Sequence, residues 1–382
     1  MMVRLATALA RRHQVTCYVI YHQPLDHALL ADLHKAGVQV HFGPFSGFLF
    51  KFFFWVSTRI QKLIPSFCLF EYCNVWKLRQ CHRSANFDVA NGHMPYAERM
   101  LSLAFKKEKL PLVGTDHGCY RELDSTSFLR DLYQPVFRRS DALVCPSDSN
   151  VELATMLPWK PSFKIHKVYY GYPCAYDLRS RSSIETITRF GLVARGVPEK
   201  GWAEAIAAWR LIPEQLRRQT HMTFVGGGDF LPQLRSSLTQ EERPFFNFTG
   251  YLPEPSEAVK SFDVGLLPSY WPLESLPNSI IEYLSFGIPV IATSVGGISE
   301  MLETPSGPAG ILIPLNTLTG KADVPLLAQA MISLAADSAL KAALVRRTQD
   351  AFRKFQMDEC ISAYESAFTE ATATIRSEGV PT

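Results

Sequence analysis

Two carboxylates, Glu274 and Glu282, stand eight positions apart in the stretch SYWPLESLPNSIIEYLSFGIPVIATSVGGISEML, residues 269–302. Two basic residues, Arg195 and Lys200, stand five apart in ARGVPEKG, directly after the apolar run TRFGLVA. A guanidinium fork and an ammonium point charge at one strand-to-helix turn suit a diphosphate. Such charge stabilises a departing nucleoside diphosphate without requiring a metal. The carboxylates suit hydroxyl groups of a sugar. A hydrolytic pair is the other reading. Eight helical residues span roughly 12 Å, whereas glycosidase carboxylates work at about 5–9.5 Å. That spacing argues against shared acid/base duty, with the proviso that a Glu274 in a loop could fold back.

The elements that would position these groups are legible around them. The run VGLLP ends at Pro268, and the carboxyl ends of strands are where open α/β sheets bind ligands. Asn278 reads as the N-cap of a helix carrying Glu282. A loop entering a helix N-terminus offers free N–H groups and a favourable dipole to an anion. A nucleotide-sugar pyrophosphate fits there, with Glu274 beside the sugar and Glu282 accepting from ribose hydroxyls. The run IPVIATS then delivers Gly296 and Gly297 to another helix start, where glycine lets a ligand approach the backbone. Two weaker signals are FVGGGD, residues 224–229, and FTGYL, residues 248–252, which offers backbone groups to a base. In the first half, His93 in NGHMPYAE follows the run FDVAN and is an acceptor-side candidate, and Asp116 is placed to orient a neighbour or cap a turn.

The wider pattern alternates short β-branched runs with amphipathic helices, which predicts parallel, doubly wound sheets. First-half strands are expected at 15–20, 38–42, 87–91, 112–115, 142–145 and 167–170, with helices at 24–35, 96–107 and 149–156. Second-half strands are expected at 187–194, 222–225, 245–248, 264–267, 290–293 and 310–313. Helices there fall at 201–210, 231–238, 279–286 and 324–336, with two more between 337 and 375. The opening MMVRLATALARRH reads as an amphipathic helix with Leu5 and Leu9 on one face, and not as a signal peptide. The chain's 382 residues predict two domains. We place an N-terminal acceptor-side domain at 1–172, a linker at 173–186, a nucleotide-sugar domain at 187–355, and a terminal segment, 356–382, that returns to the first domain.

The net charge is +3 but uneven. Through residue 170 there are 21 basic and 13 acidic residues, and beyond it 18 and 23. A basic first half suits an anionic membrane surface or a phosphorylated acceptor. Nucleic acid would require a denser basic stripe with a binding motif, and none is present. The eight cysteines form no CxxC pair or zinc-spaced cluster, so no metal site is expected and the thiols fit a reducing compartment. The segment Phe45–Val56, FSGFLFKFFFWV, is followed by Arg59 and Lys62. It is shorter than the about 20 residues of a bilayer span. It reads as an interfacial helix with aromatic anchors and basic flanks, or as a buried helix or lid over an acceptor cleft.

Taken together, ARGVPEKG, FVGGGD, FTGYL and the stretch from Glu274 to Leu302 resemble the large retaining glycosyltransferase family 4, the group 1 glycosyltransferases. The order of elements over about 1–355 is similar to that family, and the specific likeness lies at about 190–305. The resemblance implies GT-B architecture, two Rossmann-like domains facing across a cleft. It implies that Arg195 and Lys200 hold the donor diphosphate, that Glu274 lies near the sugar hydroxyls, and that Glu282 binds the ribose. Ser275, Leu276, Pro277 and Asn278 resemble the backbone segment around sugar and phosphates. Gly227 falls within the donor loops, and Tyr251 lies where the family's base-contacting backbone runs. VGTDHG, residues 113–118, is similar to the family's strand ending in a histidine, which makes His117 a candidate for contact with the sugar or acceptor.

The implied reaction moves a hexose-type sugar from a nucleoside diphosphate to an acceptor hydroxyl, with retention. No cofactor or metal is expected. A lipid-linked or saccharide acceptor in polysaccharide or glycolipid synthesis is expected, at the inner face of the membrane or in the cytoplasm. Three departures stand out. Ala194 replaces the glycine usual before the arginine, and Tyr170 the asparagine usual before Gly171. Family members open with a strand and Gly-rich loop, whereas this chain opens in what reads as the following helix, so the first domain is expected to lack its first strand. That motivates a competing reading as a catalytically inactive partner subunit. A nucleotide-sugar epimerase or a phosphorylase of the same fold are the others.

Overall fold

The computed structural model describes residues 2–21, 27–44, 51–53, 55–57, 59–60, 68–123, 126–157, 163–173 and 187–377. The start of the helix expected at 24, the first half of the aromatic stretch (45–50), Phe54, Lys62 and the linker from 174 to 186 lie outside them. The chain divides into two units, one of residues 1–171 with 357–382, the other of residues 172–356.

The second unit is built on one six-stranded parallel sheet: β7 (Thr188–Val193), β8 (Thr220–Val225), β9 (Phe246–Gly250), β10 (Val264–Leu267), β11 (Val290–Thr293) and β12 (Gly310–Ile313). Its spatial order is β12-β11-β10-β7-β8-β9. The chain therefore winds outward from β7 to β9, returns to the other side of β7, and winds outward again. All four residues of β10 and of β11 are buried, because helices cover both faces and leave no polar alternation. Trp202, Trp209, Phe190, Phe224 and Leu327 form the core on one face. On the other, ring packing replaces side chains: Gly191 lies against Phe262 and Gly265 against Tyr283.

The first unit holds a two-stranded parallel sheet, β1 (Thr16–Val19) with β2 (Gln39–Phe42), and a four-stranded parallel sheet in the order β3-β4-β5-β6. The latter strands are β3 (Ala90–His93), β4 (Leu112–Thr115), β5 (Ala142–Cys145) and β6 (Lys164–Lys167). The helix Met2–Leu9 buries Leu5 and Leu9, and with the helix Met357–Ser377 it covers Val113 and Val144 of this sheet. Tyr364, Ile361 and Ala367 of the latter helix complete that core.

Two strands sit elsewhere than the apolar runs suggest. The helix Leu69–Ala85 ends on Asn86 in the left-handed region, and the His82 ring accepts from the Phe87 N–H. The chain is still turning there, so β3 starts at Ala90 and ends on His93 instead of Asn91. Likewise β6 ends at Lys167, which leaves Tyr170 beyond the strand. The helices Leu69–Ala85 and Ser127–Arg139 carry weak sequence signals. The first mixes charged and aromatic residues around its axis, and the second contains Pro135, which breaks most helical interiors.

Candidate functional site

In the second unit, β7 and β10 are adjacent in the sheet though 70 residues apart in the chain, and strand order reverses between them. The crevice outside such carboxyl ends is the ligand position of open α/β sheets. Arg195 and Lys200 follow β7, and Glu274 follows β10.

Backbone packing fixes the two loops against each other. After β7 a short turn, Pro198–Lys200, ends on Gly201 at φ 78. A Cβ there would strike the Pro268 carbonyl, so only glycine lets the loop meet the end of β10. The Tyr270 N–H donates to the Glu199 carbonyl at 2.8 Å. Lys200 Nζ then reaches Glu274 Oε2 at 2.6 Å, with both residues 9% exposed. The Ser269 hydroxyl donates to the same oxygen at 2.7 Å. The Trp271 ring stands beneath both cations, 5.1 Å from the Arg195 guanidinium carbon and 5.6 Å from Lys200 Nζ. Both distances are within cation–π range.

The glycines of the neighbouring loops pack against the loops that carry Arg195 and Glu274. At Gly296, φ 56, the close approach is made by the Glu274 carbonyl, and the Gly297 N–H donates to the Ser275 carbonyl at 3.0 Å. The Gly-Gly turn after β11 thus clamps the Glu274–Ser275 backbone. The Gly226–Gly228 run likewise packs on the loop after β7. Gly226 lies against the Ala194 carbonyl, Gly228 against Gly196, and the Gly196 N–H donates to the Gly227 carbonyl at 2.7 Å. Gly227 also abuts Tyr251, whose side chain is exposed.

The helix carrying Glu282 spans Asn278–Ser285. Asn278 is its first residue and not the N-cap that the sequence suggests. Pro277 occupies the cap position, and no side chain caps the first turn. Proline there sets the extended entry; the Ile280 N–H donates to the Pro277 carbonyl at 3.1 Å, and the Asn278 and Ser279 N–H groups keep their capacity for an anion. Ser275 and Leu276 are buried and Asn278 is exposed. Glu282, one turn in, is buried and accepts from the Tyr172 hydroxyl at 3.1 Å.

In the first unit, β3 ends on His93, and His117 lies two residues past the end of the adjacent β4. His93 Nδ1 is 3.1 Å from His117 Nε2, and His117 Nδ1 is 2.8 Å from the Tyr170 hydroxyl. Burial, with the neighbouring His117, pulls the His93 imidazole down to about 3, and burial brings His117 to about 4. Both rings are neutral at pH 7. Asp116 caps the turn at Gly118 and Cys119 and accepts from Asn150 Nδ2 at 2.6 Å. Burial pushes its carboxyl up. Beneath the strands, Glu98 is enclosed against Gly92 and Gly114, accepts from the Tyr120 hydroxyl, and is pushed up by burial to about 8.

Of the aromatic stretch, Phe52 and Trp55 are exposed, and the Arg59 guanidinium lies 4.5 Å over the Trp55 ring. Tyr72 and Trp76, one turn apart on the helix Leu69–Ala85, are exposed as well. The Phe70 N–H donates to the Ser57 hydroxyl at 3.2 Å, which joins the two segments. Among the described residues no single helix is long and apolar enough to cross a membrane, and no group of three or more His, Cys, Asp or Glu is placed to hold a metal ion.

Trp271, Ser269, Tyr172 and Tyr170 carry site contacts that sequence reasoning missed. Trp271 and Ser269 fall inside the stretch quoted at the outset, but aromatic and hydroxyl residues there have no spacing signature. Tyr170 stands out in sequence only as a departure from the family pattern.

Comparison with known proteins gives this site a context. A family model for glycosyltransferase family 4 matches residues 1–171, and one for group 1 glycosyl transferases matches residues 187–337. The chain is 29% identical over 183 residues to the amylovoran biosynthesis glycosyltransferase AmsK of Erwinia amylovora, covering 43% of this chain and 44% of that protein. It is 24% identical over 360 residues to the N-acetyl-alpha-D-glucosaminyl L-malate synthase of Bacillus anthracis, covering 88% and 90%. The chain spans less than half the length of the first curated relatives it matches. Its fold is that of Anabaena HepE, solved in complex with UDP, with TM-score 0.74, 16% identity, and coverage of 96% of this chain and 94% of that one. With one model matching residues 1–171 and the other residues 187–337, this protein belongs to the group 1, family 4 glycosyltransferases.

Proposed function

We propose that this chain is a retaining glycosyltransferase that moves a sugar from a nucleoside-diphosphate sugar to an acceptor hydroxyl in polysaccharide or glycolipid biosynthesis. The observation that carries the reading is the meeting of Lys200, Arg195 and Trp271 with Glu274 at the strand-order reversal of the second unit. The anion site of such a crevice would hold the diphosphate. Arg195 and Lys200 would neutralise the charge that grows as the sugar–phosphate bond breaks. The uncapped first turn of Asn278–Ser285 would add N–H donors. Glu282 would accept from ribose hydroxyls, and Glu274 would accept from sugar hydroxyls.

The acceptor oxygen would attack the anomeric carbon from the face the diphosphate leaves. The bond from that carbon to phosphate oxygen breaks, the bond to the acceptor oxygen forms, and the acceptor proton passes to the departing diphosphate. Enzyme groups mainly position and stabilise charge. Metal independence follows as a proposal from the basic pair. HepE has been solved with UDP-glucose, which supports a nucleotide-sugar donor here. A lipid-linked or saccharide acceptor and peripheral contact with the inner face of the membrane are proposed from the basic, aromatic first half.

The test is transfer from α-linked nucleotide sugars in the presence of EDTA, with the anomeric coupling of the product read by NMR. An α-linked product supports the reading. A β-linked product would remove retention, and donor hydrolysis unaffected by any acceptor would remove transfer.

A further inference from the structure

Both ring nitrogens of His117 are engaged within the first unit, one by Tyr170 and one by His93. The three residues come from three places: the end of β3, the turn after β4, and the loop after β6. They form one line, Tyr170 hydroxyl to His117 Nδ1 to His117 Nε2 to His93 Nδ1, with the two rings stacked at 24° and centroids 5.3 Å apart. The strand end that presents His93 is held under strain. Met94, directly after it, has φ 80 and ψ 147, a conformation that only glycine adopts freely. Such strain persists only where the surroundings over-determine it, and it clusters at functional sites.

A neutral imidazole carries one N–H, so a hydrogen bond at one nitrogen dictates what the other can do. A phenol is the stronger proton donor of the first pair, and an unprotonated imidazole nitrogen is the stronger acceptor. The Tyr170 hydroxyl therefore donates to His117 Nδ1. His117 must then carry its proton on Nε2 and donate to His93 Nδ1. His93 is left with its own proton on Nε2.

We infer that Tyr170 is a positioning residue that sets the tautomer of His117 and, through it, of His93, so that His93 presents an N–H donor at the carboxyl end of β3. His117, the histidine singled out by family likeness, is on this account the relay, and His93 is the group that meets an oxygen of the ligand. That last assignment to a sugar or acceptor oxygen rests on the proposed transferase function. The tautomer assignment does not.

The test is long-range 1H–15N NMR on the full chain with 15N-labelled histidine at pH 7, with His93 and His117 assigned by single His→Gln variants. The expected spectrum shows both rings neutral and protonated on Nε2. In Tyr170→Phe, and in His117→Phe for His93, the tautomer preference should relax to a mixture, with melting temperature recorded as the control for folding. Protonation on Nδ1 of either ring in the wild-type protein overturns the inference, and that spectrum needs no variant to fold. An unchanged spectrum in a folded Tyr170→Phe protein also overturns it. Absence of sugar transfer alongside the expected spectrum would instead count against the transferase reading and leave the relay standing.

Discussion

Lys200 Nζ lies 2.6 Å from Glu274 Oε2, and the pair joins two loops 74 residues apart. In this state the lysine's charge is spent on a carboxylate of the protein. Breaking a buried pair by removing one partner costs about 3–5 kcal/mol, because the other is left uncompensated. Lys200→Ala should therefore lower the denaturant midpoint more than Glu274→Gln, whose amide can still accept from Lys200 and Ser269. Glu274→Gln should also leave the lysine's charge unneutralised by the protein, so that nucleoside-diphosphate affinity rises several-fold while transfer falls. Equal loss of affinity and transfer in Glu274→Gln would contradict the pairing.

Gly296 tests how the carboxylate is held. Its positive φ would cost an alanine about 1–2 kcal/mol by itself, and its Cβ would additionally collide with the Glu274 carbonyl. Gly320 has φ 68 with open space around it. Gly320→Ala should show the backbone strain alone. Gly296→Ala should lose more stability and, in thermal-shift titrations, nucleotide binding as well. Identical behaviour of the two variants would show that the clamp on Glu274 is dispensable.

The first unit should show two opposing pH dependences. His93 and His117 are held at about 3 and about 4, below the ordinary 6.5. Between about pH 4 and 6.5 the unfolded chain binds more protons than the folded one, so their contribution grows as pH rises. Glu98 is held at about 8, above the ordinary 4.5. The folded chain keeps that proton longer, so its contribution is complete below pH 4.5 and is lost as pH rises toward 8. Glu98→Gln should remove the second slope and keep the first, measured by urea unfolding from pH 5 to 8. A wild-type slope persisting in the variant would remove Glu98 as its source.

The exposed Trp55 and Trp76, with Arg59 beside the first, should bind anionic vesicles more than neutral ones, and less at high salt. Flotation of a Trp55→Ser, Trp76→Ser double variant should fall severalfold. Flotation equal to the wild type would free these residues from any membrane role.

Much of the second unit is legible in sequence because fully buried parallel strands read as unbroken apolar runs. VGLL and VIAT, wholly buried, appear as β10 and β11 at the expected residues, and GILI, half-buried at the sheet edge, appears as β12. The loops that follow carry Arg195, Lys200 and Glu274 to adjacent strand ends for the same reason. What a linear reading lacks is partnership across long separations. Tyr172 finds Glu282 from 110 residues away and Tyr170 finds His117 from 53. Neither tyrosine has a local pattern that marks it. Asparagine has the stronger intrinsic cap preference, so the sequence points to Asn278, whereas Pro277, one residue earlier, supplies the extended entry geometry.

The central claim is that a nucleoside diphosphate sits at the β7–β10 reversal, and calorimetric titration tests it most directly. UDP, GDP and ADP would be titrated into the wild type, Arg195→Ala and Glu282→Ala, with inorganic pyrophosphate as the reference anion. A lost hydrogen bond to a charged group is worth about 1.5–3 kcal/mol, so each variant should bind the preferred nucleotide about 10–100-fold more weakly. Arg195→Ala should weaken pyrophosphate too, whereas Glu282→Ala should leave it unchanged. Wild-type affinity in both variants, or a wild-type chain that binds no nucleoside diphosphate, would contradict the account.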